Sequence, residues 1–159
     1  MVHVELSPAE VAIAKFIGQQ RNRLSSATKI NTRCDPTQAD DEMNIEAVGA
    51  ELAVAKYLNL YPDLSPTAGT LPDYDLLWKD RRIDVKRNHK ADGDLLVRKL
   101  NSEVLYVLAC GALPSYSIIG WLRGYEIPLK GNWIDLIYGA CWRVHPRFLN
   151  RFSVKGGEQ

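Results

Sequence analysis

The stretch from Pro72 to Lys90 reads PDYDLLWKDRRIDVKRNHK, and it decides the expected fold. Apolar and polar residues alternate on both sides of Lys79-Asp80, and a period of two is typical of half-buried strands. Lys79-Asp80 is a polar pair suited to a tight turn, although it is not the Asn-Gly or Asp-Gly pair that gives the strongest hairpin signal. The stretch therefore predicts an antiparallel hairpin.

A two-residue turn sets the register of this hairpin. The predicted pairs are Trp78 with Arg81, Leu77 with Arg82, Leu76 with Ile83 and Asp75 with Asp84. Opposed residues share a face, with Cβ atoms about 4.5–5.5 Å apart, and Lys86 shares the face of Asp84 because it lies two residues further on. A longer loop would shift the register and separate the two carboxylates.

Two opposed carboxylates with a lysine beside them have a chemical use. Like charges directly opposed on a sheet are destabilising, so the pair favours a cation between them. Mg²⁺ takes oxygen ligands, and a lysine adds fixed charge where an oxyanion develops, which suits metal-assisted attack of water on a phosphodiester. The alternative is an ordinary surface hairpin whose acids pair with Lys86, Arg82 and Arg87.

A helix predicted from Glu42 to Leu58 carries a further acid. Glu51 interrupts an arc of small apolar neighbours: Ala47, Val48, Val54 and Ala55. A carboxylate on an apolar arc needs a partner or a metal; alternatively, Glu51 reaches water at the edge of the arc or pairs with an arginine. Glu46 has more mixed neighbours and is expected on a wetter side.

The remaining pattern indicates an α/β domain with a central mixed or antiparallel sheet flanked by helices. Ser7 to Glu10 has the form of a capping box and begins a helix. Further strands are predicted at 95–97, 104–109 and 116–122, whereas 134–138 and 141–144 fit either strands or a helix. We expect one domain over 1–159, with an N-terminal helix and basic loop in 1–40, a catalytic core in 42–125 and a C-terminal extension in 126–159.

Composition sets limits on the functional class. The chain has 159 residues, a quarter of them charged, and a net charge of +1, so global basicity does not indicate nucleic acid. Locally, Lys79 to Lys90 holds six basic residues against two aspartates, which fits phosphate contacts or a solvated face. Three widely spaced cysteines indicate no zinc site and favour a reducing compartment. No signal peptide or apolar run of about 20 residues is visible, so a cytoplasmic protein without a membrane partner is expected.

Taken in order, these motifs resemble the PD-(D/E)XK nuclease superfamily, which has the restriction-endonuclease-like fold. The resemblance runs from Gly49–Ala53 on the helix, through Pro72–Asp75, to Ile83–Lys86. The later segments Tyr106–Leu108 and Ile118–Trp121 look like the following strands of small phage and prokaryotic members. One departure concerns topology, because the familiar core places a helix between the third and fourth strands, where this sequence predicts a hairpin.

The resemblance implies a role for each site residue. It implies the catalytic residues Glu51, Asp75, Asp84 and Lys86, and the metal ligands Asp75, Asp84, Glu51 and the carbonyl of Val85. Asp73 is the alternative acid, because Pro72-Asp73 spells the first motif of the family. Nucleic-acid contacts are expected from Arg82, Arg87, His89 and Lys90.

The implied activity is that of a Mg²⁺-dependent deoxyribonuclease, with Mn²⁺ as a substitute, that leaves a 5′-phosphate and a 3′-hydroxyl. An endonuclease is favoured over an exonuclease, and monomer and homodimer both stay open. The implied location is the cytoplasm, including the host cytoplasm if the protein is encoded by a phage. The alternatives are an inactive nuclease-fold module that binds nucleic acid and an accessory protein whose acids form surface ion pairs.

Overall fold

Two sheets and two long helices organise the protein, whose computed structural model describes residues 1–27, 40–65, 74–137 and 139–152. The helices are α1 (Pro8–Ala27), α2 (Asp40–Leu58) and the short α3 (Ile127–Lys130). The strands are β1 (Val2–Glu5), β2 (Leu76–Trp78), β3 (Arg81–Asn88), β4 (Leu95–Val97), β5 (Leu105–Ala112), β6 (Ser115–Arg123), β7 (Asn132–Leu136) and β8 (Gly139–Val144).

The hairpin of β2 and β3 forms three of its four predicted pairs, but the predicted pair of Asp75 with Asp84 is not part of the ladder. Leu76 pairs with Ile83, Leu77 with Arg82, and Trp78 with Arg81. Lys79 and Asp80 make the turn with φ of 48° and 62°, and two positive φ values are typical of the type I′ turn that matches the twist of a hairpin. The two-residue turn is therefore confirmed despite the lack of glycine.

The main sheet is mixed, as expected. Its strand order is β1-β6-β5-β3-β2, in which β3 and β5 run parallel and every other pair is antiparallel. A parallel pair needs a crossover connection, and here the crossover contains β4. The predicted hairpin of β5 and β6 is confirmed, with no helix between the two strands.

A second sheet joins distant parts of the chain, with the order β4-β8-β7. The segments 134–138 and 141–144 fitted either strands or a helix, and the structure places residues 134–136 in β7 and 141–144 in β8. The N-terminal region, the core and the C-terminal extension predicted from the sequence contribute strands to common sheets. In the main sheet β1 pairs with β6, and in the second sheet β8 pairs with β4.

Apolar side chains pack on both faces of the main sheet, and β5 shows why. Alternate residues of this strand point to opposite faces. Leu105, Val107 and Ala109 therefore join the core under α1 and α2, whereas Tyr106, Leu108 and Cys110 join a core under the second sheet. The result is three layers of mixed α/β structure: a helix pair, the five-stranded sheet and the three-stranded sheet.

The N-terminal helix begins where the capping pattern predicts. The backbone N–H of Ser7 donates to Oε2 of Glu10 at 2.6 Å, and the N–H of Glu10 donates to Oγ of Ser7 at 3.3 Å. The helix then continues to Ala27, beyond its expected end near Gln19–Arg23. Arg21 lies on this helix, and its contact with Glu51 is described below.

The positive φ at Asp80 leads to a first prediction. Glycine adopts this conformation without the steric cost that a Cβ adds, so Asp80→Gly should unfold with a free energy about 1 kcal/mol higher than Asp80→Ala. Urea denaturation of the two variants measures the difference.

The exposed turn residue Glu103, where φ is not positive, provides the matched control. There the order should reverse, with the alanine variant more stable than the glycine variant. Equal stabilities of Asp80→Gly and Asp80→Ala would contradict the left-handed turn.

Candidate functional site

A cleft of about 710 Å³ lies between α2, the hairpin and the crossover. All five residues predicted to hold a metal or act in catalysis line this cleft: Glu51, Asp75, Asp84, Val85 and Lys86. The opposite wall comes from β4 and the part of the crossover that follows it. Its lining residues are Leu96, Arg98, Lys99, Leu100 and Asn101. Asp73, the alternative acid, lies outside the described residues.

Asp75 is held by the strand that it faces. Its N–H donates to the carbonyl of Ile83 at 2.7 Å, and its Oδ2 accepts from the N–H of Val85, also at 2.7 Å. We expected Asp75 inside a strand, and this was wrong, because β2 begins only at Leu76. The Asp75 carboxylate therefore accepts a hydrogen bond that a backbone carbonyl of a neighbouring strand would otherwise accept. This bond fixes the orientation of the carboxylate.

Asp84 and Lys86 lie on one face of β3, as the alternation predicts. Ile83 between the turn and Asp84 is fully buried on the opposite face, under the helices. Nζ of Lys86 lies 2.7 Å from Oδ1 of Asp84. Burial lowers the pKa of Lys86, but the Asp84 and Asp75 carboxylates outweigh it, so the pKa lies above its ordinary value. Lys86 thus stays charged near neutral pH.

Glu51 pairs with an arginine, which is one of the alternatives that its apolar arc left open. It is 8% exposed, and its Oε1 and Oε2 lie 2.8 and 2.9 Å from Nη1 of Arg21. Burial raises the pKa of Glu51, although the Arg21 guanidinium opposes the shift. The pair brings a residue of α1 to the edge of the cleft.

The acids of the cleft repel one another. Burial, followed by repulsion from the Glu51 and Asp84 carboxylates, raises the pKa of Asp75 to about 8. A carboxylate whose ionised form is disfavoured by neighbouring acids gains most from a nearby cation. The electrostatics of this cleft therefore favour a bound positive charge beside Asp75 and Asp84.

A magnesium ion fits the donors that these residues offer. Among the residues that the structure describes, no three His, Cys, Asp or Glu side chains lie together closely enough to hold a metal ion. Mg²⁺, however, is commonly held by one or two carboxylates, with waters and substrate phosphates as its other ligands. Asp75 and Asp84 provide two such carboxylates in one cleft, so the donor set suits this hard cation.

Tyr106 holds in place the wall of the cleft that contains Arg98 and Lys99. It lies beside Asp84 in the parallel pairing of β3 and β5. Its hydroxyl donates to the carbonyl of Lys99 at 3.2 Å and accepts from the N–H of Asn101 at 2.9 Å. These bonds tie the crossover to the main sheet, so the segment with Arg98 and Lys99 is held against the cleft.

The contribution of Arg98 and Lys99 was missed from the sequence. Both are exposed and line the cleft. The signal was a pair of basic residues directly after the predicted strand 95–97, but its place opposite the acids depends on the crossover. Arg21 falls in the N-terminal helix and basic loop predicted for 1–40, and sequence reasoning assigned it no role in the site because its contact with Glu51 joins two helices.

The residues predicted to contact nucleic acid have different places. Arg82, His89 and Lys90 are exposed and do not line the cleft. The Arg82 guanidinium lies over the ring of Tyr74, 5.7 Å from its centroid. Arg87 was wrongly expected on a binding surface: its side chain is 11% exposed, its Nε donates to the carbonyl of Gly111 at 3.0 Å, and it lies 3.6 Å from Glu46.

The contrast drawn between the two helix acids was also wrong. Glu46 is 8% exposed, no wetter than Glu51. Its Oε2 accepts from the hydroxyl of Tyr116 at 2.6 Å and from the N–H of Leu113 at 3.1 Å. The reason lies in the tertiary packing, because β6 brings Tyr116 against this side of α2. Glu46 is thus a satisfied buried acid away from the cleft.

Comparison with known proteins found no matching family model, no matching curated protein and no matching solved structure. Within the ranges given above, no helix is both long enough and apolar enough to cross a membrane.

The raised pKa of Asp75 leads to a second prediction, for protein in EDTA. A carboxyl whose pKa is raised from 3.8 to about 8 on folding favours the folded state while it is protonated, and this contribution is lost as pH rises through that window. The free energy of unfolding of the wild type should therefore fall from about pH 4 to about pH 8, by up to about 1.4 kcal/mol per unit.

Asp75→Asn keeps an oxygen that accepts from Val85 but removes the titration. Its stability should fall less over the same window, as measured by urea denaturation at several pH values. Glu51 stays in both proteins, so the difference between the two slopes reports the titration of Asp75 together with its repulsion of Glu51. Parallel pH profiles would show that Asp75 titrates normally.

Proposed function

We propose that this protein is a metal-dependent nuclease that hydrolyses phosphodiester bonds of DNA and leaves a 5′-phosphate and a 3′-hydroxyl. The observation that carries the proposal is the cleft in which Asp75, Asp84 and Lys86 meet. Oδ2 of Asp75 is fixed by the N–H of Val85, and Nζ of Lys86 lies 2.7 Å from Asp84. Two carboxylates and a charged lysine on one hairpin suit phosphodiester hydrolysis better than any other chemistry of these residues.

The restriction-endonuclease-like fold is part of the same proposal. It is supported by a mixed sheet with a parallel pair and by an acid-bearing helix packed on that sheet. It is also supported by the acids that line a cleft beside β3, next to the first residue of β2. The direct hairpin of β5 and β6 departs from the familiar core. That departure lies away from the acids and leaves the arrangement of the cleft unaffected.

Asp75 and Asp84 would hold Mg²⁺ in this cleft, with Mn²⁺ as a substitute. When bound, the ion would lower the pKa of the attacking water and neutralise charge on the phosphate. The carbonyl of Val85 is the further ligand that the resemblance to PD-(D/E)XK nucleases implies. Waters and the substrate phosphate would supply the remaining oxygens.

Lys86 has a role that follows from its charge. Because the Asp84 and Asp75 carboxylates raise its pKa in the metal-free protein, the ammonium keeps its proton near neutral pH. We infer that it orients the attacking water and stabilises the negative charge that develops on the phosphate. Arg98 and Lys99, on the opposite wall, lie where they can contact phosphates of the bound strand.

Loss of the Asp84 carboxylate tests the proposal. Asp84→Asn should lower Mg²⁺-dependent cleavage by at least about 100-fold, since it removes charge that acts on the transition state. Nicking of supercoiled plasmid, with linear and single-stranded DNA in parallel, measures the effect in Mg²⁺, Mn²⁺ or EDTA. The exposed turn residue Asp92 provides the matched control, because Asp92→Asn makes the same chemical change outside the cleft and should cut as the wild type does.

Two results would overturn the proposal. If Asp84→Asn cuts at the wild-type rate, the site is wrong. If the wild type binds DNA in a salt-dependent way but cuts with neither ion, the chain is the inactive nucleic-acid-binding module instead. One observation favours that alternative: Arg21 and Lys86 already pair with Glu51 and Asp84. No DNA affinity at low salt would favour the accessory protein.

The walls of the cleft lead to a separate prediction about DNA binding in EDTA. Each lost phosphate contact should lower the slope of log Kd against log salt by about 1. Arg98→Gln with Lys99→Gln should therefore weaken binding and reduce the slope by about 2, whereas Arg82→Gln with Lys90→Gln should change it little. Fluorescence anisotropy with a labelled oligonucleotide gives both slopes. A larger effect of the second pair would move the binding surface to the outside of the hairpin.

A further inference from the structure

The ion pair of Arg21 and Glu51 is built into the helix layer. Gly18 lets α1 and α2 approach closely, because a Cβ at Gly18 would lie 2.5 Å from Cα of Ile45. Arg21 follows three residues later on α1, and its Nη1 contacts both oxygens of Glu51. Nη2 also donates to the carbonyl of Asp63 at 3.4 Å. The guanidinium is therefore held from two sides.

This pair conflicts with a metal role for Glu51. A carboxylate binds a cation through its oxygens, and both oxygens of Glu51 already face a cation at 2.8–2.9 Å. To join a metal, Glu51 would have to leave Arg21, and separating a buried ion pair leaves an uncompensated charge behind. Within the described part of the chain, Glu51 also does not gather with Asp75 and Asp84 into a group that could hold a metal.

We propose that Arg21 is a positioning residue that keeps Glu51 out of the metal site, so that the cleft takes a single divalent cation on Asp75 and Asp84. The proposal rests on the proposed function, because it concerns the metal of that reaction. It assigns Glu51 to Arg21, whereas the family resemblance implied that Glu51 is a ligand. Arg21 then supplies a fixed positive charge on the side of the cleft where a third carboxylate would otherwise attract a second ion.

The balance of charge around the acids supports a single ion. When ionised, the three acids Glu51, Asp75 and Asp84 carry three negative charges. Arg21 and Lys86 carry two positive charges, so this group of side chains has one net negative charge. One divalent cation turns this into one net positive charge, which matches the single negative charge of a phosphodiester. Without Arg21 the same acids would carry two net negative charges, so the attraction for divalent cations would rise.

Metal binding can be measured without catalysis, by electron paramagnetic resonance of Mn²⁺ titrated into the full chain. The wild type should bind one ion. Asp84→Asn should weaken binding at least about tenfold, because it removes a ligand charge. Glu51→Gln should still bind one ion, within about threefold of the wild-type Kd, since its carboxylate is not a ligand and lies further from the ion.

Arg21→Gln provides the opposite change. It should bind Mn²⁺ about tenfold more tightly or take up a second ion, because Glu51 is released with its charge unbalanced. Adding Glu51→Gln to Arg21→Gln should cancel this gain, and the two variants with the wild type and Glu51→Gln form a double-mutant cycle.

The inference is overturned if Glu51→Gln loses Mn²⁺ as Asp84→Asn does, or if Arg21→Gln binds Mn²⁺ more weakly than the wild type. Should Arg21→Gln fail to fold, the comparison of Glu51→Gln with Asp84→Asn still decides. A wild type that cuts DNA and binds Mn²⁺ through Glu51 refutes this inference alone. A wild type that neither binds Mn²⁺ nor cuts DNA refutes the proposed function as well.

Discussion

The hydrogen bond from the N–H of Val85 to Oδ2 of Asp75 is the contact on which the cleft depends. A backbone N–H that is shielded from water needs an acceptor, and β2 begins only at Leu76, so its backbone does not reach this donor. The Asp75 carboxylate takes that place. The same bond therefore holds an acid beside β3, in the cleft that Asp84 also lines.

Charge compensation shapes the rest of the site. Three acids in and around one cleft would be costly without cations, because buried carboxylates lose hydration and repel one another. Lys86 lies beside Asp84, and Arg21 beside Glu51, whereas burial and repulsion from the Glu51 and Asp84 carboxylates raise the pKa of Asp75 to about 8. The site is stable in this form, yet it still favours one additional positive charge.

Much of the hairpin could be read from the sequence, since its causes are local. Alternation and a two-residue turn determine the register of β2 and β3, and register determines that Asp84 and Lys86 share a face. The two helix acids show where such reading ends. Glu46 and Glu51 are equally buried, but one meets Tyr116 and the other meets Arg21, and neither partner is near in sequence.

By itself, then, the sequence determined the α/β class, the hairpin with its turn, and the shared face of Asp84 and Lys86 on β3, because all of these follow from periodicity and short-range geometry. Only the tertiary structure decided that β4 belongs to a crossover, that Arg98 and Lys99 line the same cleft as the acids, and that Arg21 takes both oxygens of Glu51. The reason is physical: these contacts depend on how helices and sheets pack against each other, and packing joins residues whose separation along the chain leaves no local pattern.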